Sequence, residues 1–230
     1  MPVLERPDDT VTDADGTIVR GEPRWPMALA VVVLMGLAIE FPHQAAIVPA
    51  LLLATLEGVL LAALIIGDPG RIDRDVPWIH RASIALIVVV LVSTAGSTIL
   101  LVYDLLLGAP ITNDAVPLLL AGGRVWIQNN VAFALVYWML DGGGPAVRLR
   151  GLRPYPDFAF PQTFNPEVAP PGWRPHFVDY LYLAFTNANS FSPTDTMPLV
   201  PWAKVAMGIQ AMISFVIIGL VLARAVGVFN

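Results

Sequence analysis

The run 82–103, ASIALIVVVLVSTAGSTILLVY, carries no charged side chain. A helix of about 20 mostly apolar residues crosses roughly 30 Å of hydrocarbon, so such a run is better suited to a bilayer than to a small soluble core. Four further segments share the pattern: 25–41, 45–67, 115–140 and 205–223. In lipid, isolated strands cannot satisfy their own backbone groups, and helices can. Composition agrees, since 56% hydrophobic residues, 13% charged residues and a mean hydropathy of +0.68 leave too little polar surface to cover a soluble domain. The sequence therefore predicts an all-α membrane protein with five transmembrane helices and the lipid bilayer as its main partner.

The remaining stretches differ in kind. In 1–24, six acids (Glu5, Asp8, Asp9, Asp13, Asp15, Glu22) crowd a polar tail without the basic start and apolar core of a signal peptide, and it reads as disordered. Residues 25–141 hold the first four spans, and 142–175 form a proline-rich linker that cannot be one continuous helix. Then 176–185, HFVDYLYLAF, is apolar enough to enter a membrane and too short to cross one. Asp179 falls in its first turn, where a carboxylate suits a helix N-terminus. The polar NANSFSPTD follows at once. The unit 176–230 is thus expected to be a re-entrant half-helix, an irregular return and the last span. Irregular backbone at membrane depth is tolerated only when buried in protein or lining a water-filled cavity.

Few residues offer chemistry. The chain has no cysteine, and His43, His80 and His176 lack the paired spacing of metal ligands, so no metal and no cofactor are expected. The GGGP at 142–145 lacks the Lys-Ser/Thr of a phosphate-binding loop and reads as a flexible exit from the fourth span. No Ser/His/Asp or paired-carboxylate arrangement supports an enzyme, and no nucleic-acid partner is expected. Glu57 and Arg124 stand out as ionisable groups inside spans. At 1.5 Å per residue they lie about 18 Å and about 14 Å into two parallel spans, so an intramembrane ion pair is expected, with a proton or ion relay as the alternative. Ala121, Gly122 and Gly123 offer a small surface for close helix approach.

The C-terminal order of half-helix, return and inner helix resembles the pore loop of tetrameric potassium and cation channels. The potassium-channel pattern T-V-G-Y-G-D-x-x-P falls on Ser190, Phe191, Ser192, Pro193, Thr194, Asp195, Thr196, Met197 and Pro198. The W-G-R that often opens the inner helix falls on Trp202, Ala203 and Lys204. With Y-x-x-F-T at Tyr182, Phe185 and Thr186, then a polar turn, Asp195 and a last helix, the chain is also similar over most of its length to an uncharacterised family of bacterial integral membrane proteins, a domain of unknown function. The channel resemblance implies a shared pore in a homo-oligomer and passage of monovalent cations. The two filter glycines are replaced by Ser192 and Thr194 and the tyrosine by Pro193, so a cage of backbone carbonyls is not expected. A pore would be lined instead by Thr186, Asn187, Asn189, Ser190, Ser192, Thr194 and Asp195, giving low selectivity. The alternative is a non-conducting scaffold or partner subunit that keeps the same fold.

Ten of the thirteen Lys and Arg lie in the tail (Arg6, Arg20, Arg24), the loop after the second span (Arg71, Arg74, Arg81) and the linker (Arg148, Arg150, Arg153, Arg174). All three fall on one face of a five-span chain, which the positive-inside bias makes cytoplasmic. The channel resemblance would put the linker outside. Either the loop re-enters from the cytoplasm, or 177–198 crosses and the C-terminus is inside. A bacterial cytoplasmic membrane is the expected location.

Overall fold

The computed structural model describes residues 11–12, 18–39, 49–72, 74, 76–170, 172–190 and 195–229. The chain is mostly helical. Its long helices are α1 (Trp25–Ile39), α2 (Ala50–Gly67), α3 (Pro77–Leu107), α4 (Ala115–Leu140), α7 (Phe177–Ser190) and α8 (Pro201–Phe229), with short α5 (Pro145–Leu149) and α6 (Pro161–Phe164) in the linker. Three are long and apolar enough to cross a membrane: Ala50–Gly67, Pro77–Leu107 and, within α8, Pro201–Gly227. At 15 residues, α1 is about 22 Å long. In contrast α4 has ample length but carries Arg124, Gln128, Asn129 and Asn130.

Residues 128–139 of α4 are all buried, which makes α4 the axis of the bundle. It packs against α3, α7 and α8 and touches α1, whereas α2 packs against α1 and α3. A large apolar cluster joins α1 to α4 with α7 and the start of α8. A smaller one, at the other end, joins Leu101 and Leu105 to Leu118, Val125, Ile217 and Val221. There the small surface on α4 has a partner: a Cβ on Gly122 would lie 2.7 Å from Val221 Cγ2 of α8, so glycine sets how closely the two helices approach.

Among the described residues, six two-residue strands form three antiparallel pairs: β1 (Val11–Thr12) with β2 (Ile18–Val19), β3 (Glu22–Pro23) with β4 (Arg71–Ile72), and β5 (Phe158–Ala159) with β6 (Met197–Pro198). The β3–β4 pair ties the end of the tail to the α2–α3 loop. Beside it the buried Arg24 donates through Nη2 to Asp68 Oδ2 and through Nε to Asp68 O, both at 2.8 Å. Trp138 Nε1, near the end of α4, donates to Glu22 Oε2 at 2.8 Å. The N-terminal segment, the α2–α3 loop and the linker therefore share one end of the bundle. At the opposite end Arg224 Nη2 donates to Asn113 Oδ1 at 2.8 Å.

Two expectations change. The segment 18–24 does not belong to a disordered tail, because Glu22 and Arg24 anchor it to α4 and α2. The helix expected to end at Phe185 also runs on to Ser190, as α7. Its polar residues find partners without leaving the helix: Thr186 Oγ1 donates back to Leu183 O at 3.0 Å, and the Asn187 amide reaches α8.

Removing a charge from a buried ion pair costs more than removing one from an exposed pair. Asp68→Ala should lower the unfolding free energy in detergent by about 3 kcal/mol. Arg74, with its side chain 59% exposed and Nε 4.0 Å from the same carboxylate, is a weak second partner. Arg74→Ala should cost less than about 1 kcal/mol, and chemical denaturation of the two variants checks the contrast.

Candidate functional site

The chain around the polar return is fixed at two levels. At the outer level the linker ring Phe158 lies between the starts of two helices, with centroids 6.3 Å from Tyr180 of α7 and 5.6 Å from Trp202 of α8. Deeper, Asn187 of α7 meets Met207 and Gln210 of α8. The two helices thus set out from the same end and run parallel. After α7 the chain is back beside the linker at β6, where Leu199 N donates to Asp157 O at 2.8 Å.

Two carboxylates organise the outer level. Asp141, fully buried at the end of α4, accepts from Asp157 N at 2.8 Å and Phe158 N at 3.2 Å through Oδ1, and from the Tyr180 hydroxyl through Oδ2. A single side chain thereby joins α4, the linker and α7. Glu22 accepts from Trp138 Nε1 and from Phe177 N at the first residue of α7. Asp179, three residues in, accepts from His176 N at 2.7 Å, one half of a capping box at the start of α7. Burial pushes the Glu22 carboxyl above the ordinary carboxylate range, against the opposing hydrogen bonds from Trp138 and Phe177 and the nearby charges of His176 and Arg148.

The deeper level turns on Gln210, which is fully buried. Its Nε2 donates to Ala184 O at 2.8 Å, and its Oε1 accepts from Tyr137 Oη at 2.7 Å and from Asn187 Nδ2 at 2.8 Å. Asn187 Nδ2 also donates to Met207 O at 2.9 Å, and Asn129 Nδ2 to Ser214 Oγ at 2.9 Å. Three helices, α4, α7 and α8, are joined through one amide. Sequence reasoning passed over Gln210 although the signal was present: an amide inside the apolar run 205–223 must find partners.

Buried oxygens remain in the same stretch of α4. Gln128 Oε1, Asn129 Oδ1 and Asn130 Oδ1 have no hydrogen-bond partner among the described residues, and neither does Glu57 Oε2 on α2. Successive helical positions point about 100° apart. The three α4 amides therefore form a polar layer around the helix and not a single convergent site.

Several expected site residues are distributed differently. Asn187 is buried in the α7–α8 contact, Thr186 is half-buried and bonded to its own helix, and Asn189 and Asp195 are exposed. Ser190 ends α7. Phe191, Ser192, Pro193 and Thr194 lie outside the described residues. Among the described residues, no salt bridge joins Glu57 to Arg124. Glu57 lies beside Ser93 of α3, and Arg124 is half-buried on α4. Equal depth does not by itself bring two side chains together: α2 packs chiefly on α1 and α3, and α4 on α3, α7 and α8.

In comparisons with known proteins, the chain matches no family model, no curated protein and no solved structure.

Two outcomes follow from this geometry. Gln210→Leu leaves the Tyr137 hydroxyl, the Asn187 amide and Ala184 O without this shared partner, and should cost at least about 2 kcal/mol. Tyr137→Phe removes one donor from an oxygen that Asn187 still serves, and should cost about 1 kcal/mol; denaturation in detergent separates the two. For Glu22, a raised folded-state pKa means that its contribution is fully present below the ordinary carboxylate pKa and is lost as pH rises through the folded value. Glu22→Gln cannot ionise, so its stability relative to the parent chain should improve steadily as pH rises through that window. A difference in melting temperature that is flat with pH would contradict this.

Proposed function

We propose that the chain is a five-span integral membrane protein of a bacterial cytoplasmic membrane whose α7, return and α8 form a pore loop, assembled as a homo-oligomer that passes monovalent cations with low selectivity. The observation that carries this reading is the parallel course of α7 and α8 from one end of the bundle. At 14 residues α7 is about 21 Å long. That is short of the roughly 30 Å of a hydrocarbon core. A helix that stops at membrane depth and a chain that returns to its starting face make a re-entrant element, and polar backbone is tolerated there where it is enclosed or wet. The channel resemblance of residues 190–204 adds the functional half of the reading.

The end from which α7 departs also holds Arg24, Arg71, Arg74, Arg148 and Arg153, and the positive-inside bias turns it to the cytoplasm. The loop then re-enters from the cytoplasmic side, opposite to potassium channels. One chain contributes one half-helix and one inner helix, so a pore is shared between copies by cyclic symmetry.

A specific observation favours a second reading. The Asn187 amide, expected on a pore wall, is committed to Met207 O and Gln210 Oε1. A scaffold that keeps the loop for packing and conducts nothing would show that commitment. Reconstitution separates the two. Liposomes holding the purified oligomer should pass potassium or sodium down a gradient, and Asp195→Asn should weaken the preference for cations over anions, since a ring of carboxylates raises the local cation concentration. A folded oligomer with no flux above empty liposomes would select the scaffold.

A further inference from the structure

Five of the six tryptophans, Trp25, Trp78, Trp138, Trp173 and Trp202, gather at the end of the bundle where α1, α3 and α8 begin and α4 finishes. Trp25 and Trp78 are exposed there. Indole rings collect where hydrocarbon gives way to headgroups, so these two mark the level of the membrane boundary. The linker folds against the same end. Phe158 lies 5.6 Å from the Trp202 ring, and Phe160 lies 6.0 Å from Trp173 and 5.3 Å from Tyr180, centroid to centroid. With Phe158, Ala159 and Phe160 buried, the linker lies across the end of the bundle at that level and does not stand off in water.

Its outer side is apolar all the same. Tyr155, Phe164 and Val168 are 79%, 55% and 73% exposed. Single apolar residues on a surface are ordinary, but these three belong together. Tyr155 lines the same small cavity as Thr163, the neighbour of Phe164, and Phe164 and Val168 end the consecutive short turns 161–164 and 166–168. Arg153 lines that cavity too and is exposed. Of the other linker charges Arg148, Arg150 and Arg174 are half-buried, Asp157 is buried and Glu167 is exposed. Around the same end Arg74, Arg81 and Lys204 are exposed, with Asp195 as the further exposed acid among the described residues there; Asp73, Asp75 and the acids of 1–15 lie outside them. A cationic rim beside exposed rings complements an anionic lipid surface.

We propose that the linker is a membrane-surface anchor: Tyr155, Phe164 and Val168 dip among the headgroups of an anionic lipid leaflet, and Arg153 reaches the lipid phosphates. Apolar side chains at the headgroup boundary and a neighbouring guanidinium contribute separately to such binding, the first by burial and the second by charge. Because Phe158 and Phe160 of the same linker pack on Tyr180, the anchor also holds the start of α7 at a set depth. It rests on the membrane placement of the chain and is independent of whether the chain conducts ions.

The test uses the full chain, which has no native cysteine, in nanodiscs of phosphatidylcholine with or without phosphatidylglycerol. A nitroxide is attached in turn to the single variants Tyr155→Cys, Phe164→Cys and Val168→Cys, each of which leaves the other two anchors in place. The readout is the ratio of collisions with oxygen, which concentrates in lipid, to collisions with a water-soluble nickel chelate. Ile99→Cys, on the exposed side of α3, is the lipid reference, and Glu167→Cys is the water reference. With phosphatidylglycerol present, at least two of the three positions should give ratios severalfold above Glu167→Cys and toward Ile99→Cys. Adding Arg153→Gln to Phe164→Cys should shift the label out of the lipid by about fivefold in the anionic discs and leave it unmoved in phosphatidylcholine alone. Should that double variant not fold, the three single positions decide. Ratios equal to Glu167→Cys at two or more of the three would mean that the surface faces water and is open to a soluble partner, which overturns the proposal. An Arg153→Gln shift that is absent in the anionic discs, or equal in both lipids, overturns the role of Arg153.

Discussion

Gln210 is the contact on which the C-terminal half depends. An amide in the middle of an apolar helix is costly unless its donors and acceptors are met inside the protein. Here Gln210 is met from two sides, by Tyr137 of α4 and by Ala184 and Asn187 of α7. The same bonds that solvate Gln210 place α7 against α8 at a fixed depth. Hydrogen bonds between helices in a bilayer are individually modest, often well under 2 kcal/mol. Their role here is specificity of register: an α7 shifted by one turn would leave the amide unmatched.

The outer level supplies the second fixed point. Asp141 and Glu22 are carboxylates placed where backbone donors would otherwise be unpaired, at the linker strand and at the start of α7. Between the two levels α7 is held at its start and along its length, and β6 is fixed beside the linker. The α4 helix makes this possible by carrying Asn129 and Tyr137 on its length and Asp141 at its C-terminus. Its polarity is the cost of serving as the common wall for α7 and α8.

The apolar runs and the linker were legible in the sequence because transfer into lipid imposes a length and a composition on each span. What was not legible is what depends on partners far away in the chain. Asp141 meets Tyr180 39 residues on, and Glu22 meets Phe177 155 residues on. Neither distance leaves a local pattern. The extent of α7 was misjudged because Asn187 and Asn189 look like a turn until Gln210 is known to receive one of them. The Glu57–Arg124 pairing rests on depth alone, which says nothing of how the helices are ordered around the bundle; α2 packs chiefly on α1 and α3. Gly142 and Gly143 read as flexibility, whereas they make room for arginine side chains.

The central claim is that α7 and the return leave the chain on the face from which it entered. With no native cysteine, single cysteines at Leu152 in the linker, Met197 on β6 and Val226 near the end of α8 report sidedness in oriented vesicles, and all three positions are exposed. An impermeant thiol reagent should label Leu152 and Met197 from the same side and Val226 from the other. Labelling of Met197 from the side opposite Leu152 would show that 177–198 crosses the bilayer, and the re-entrant account would fail.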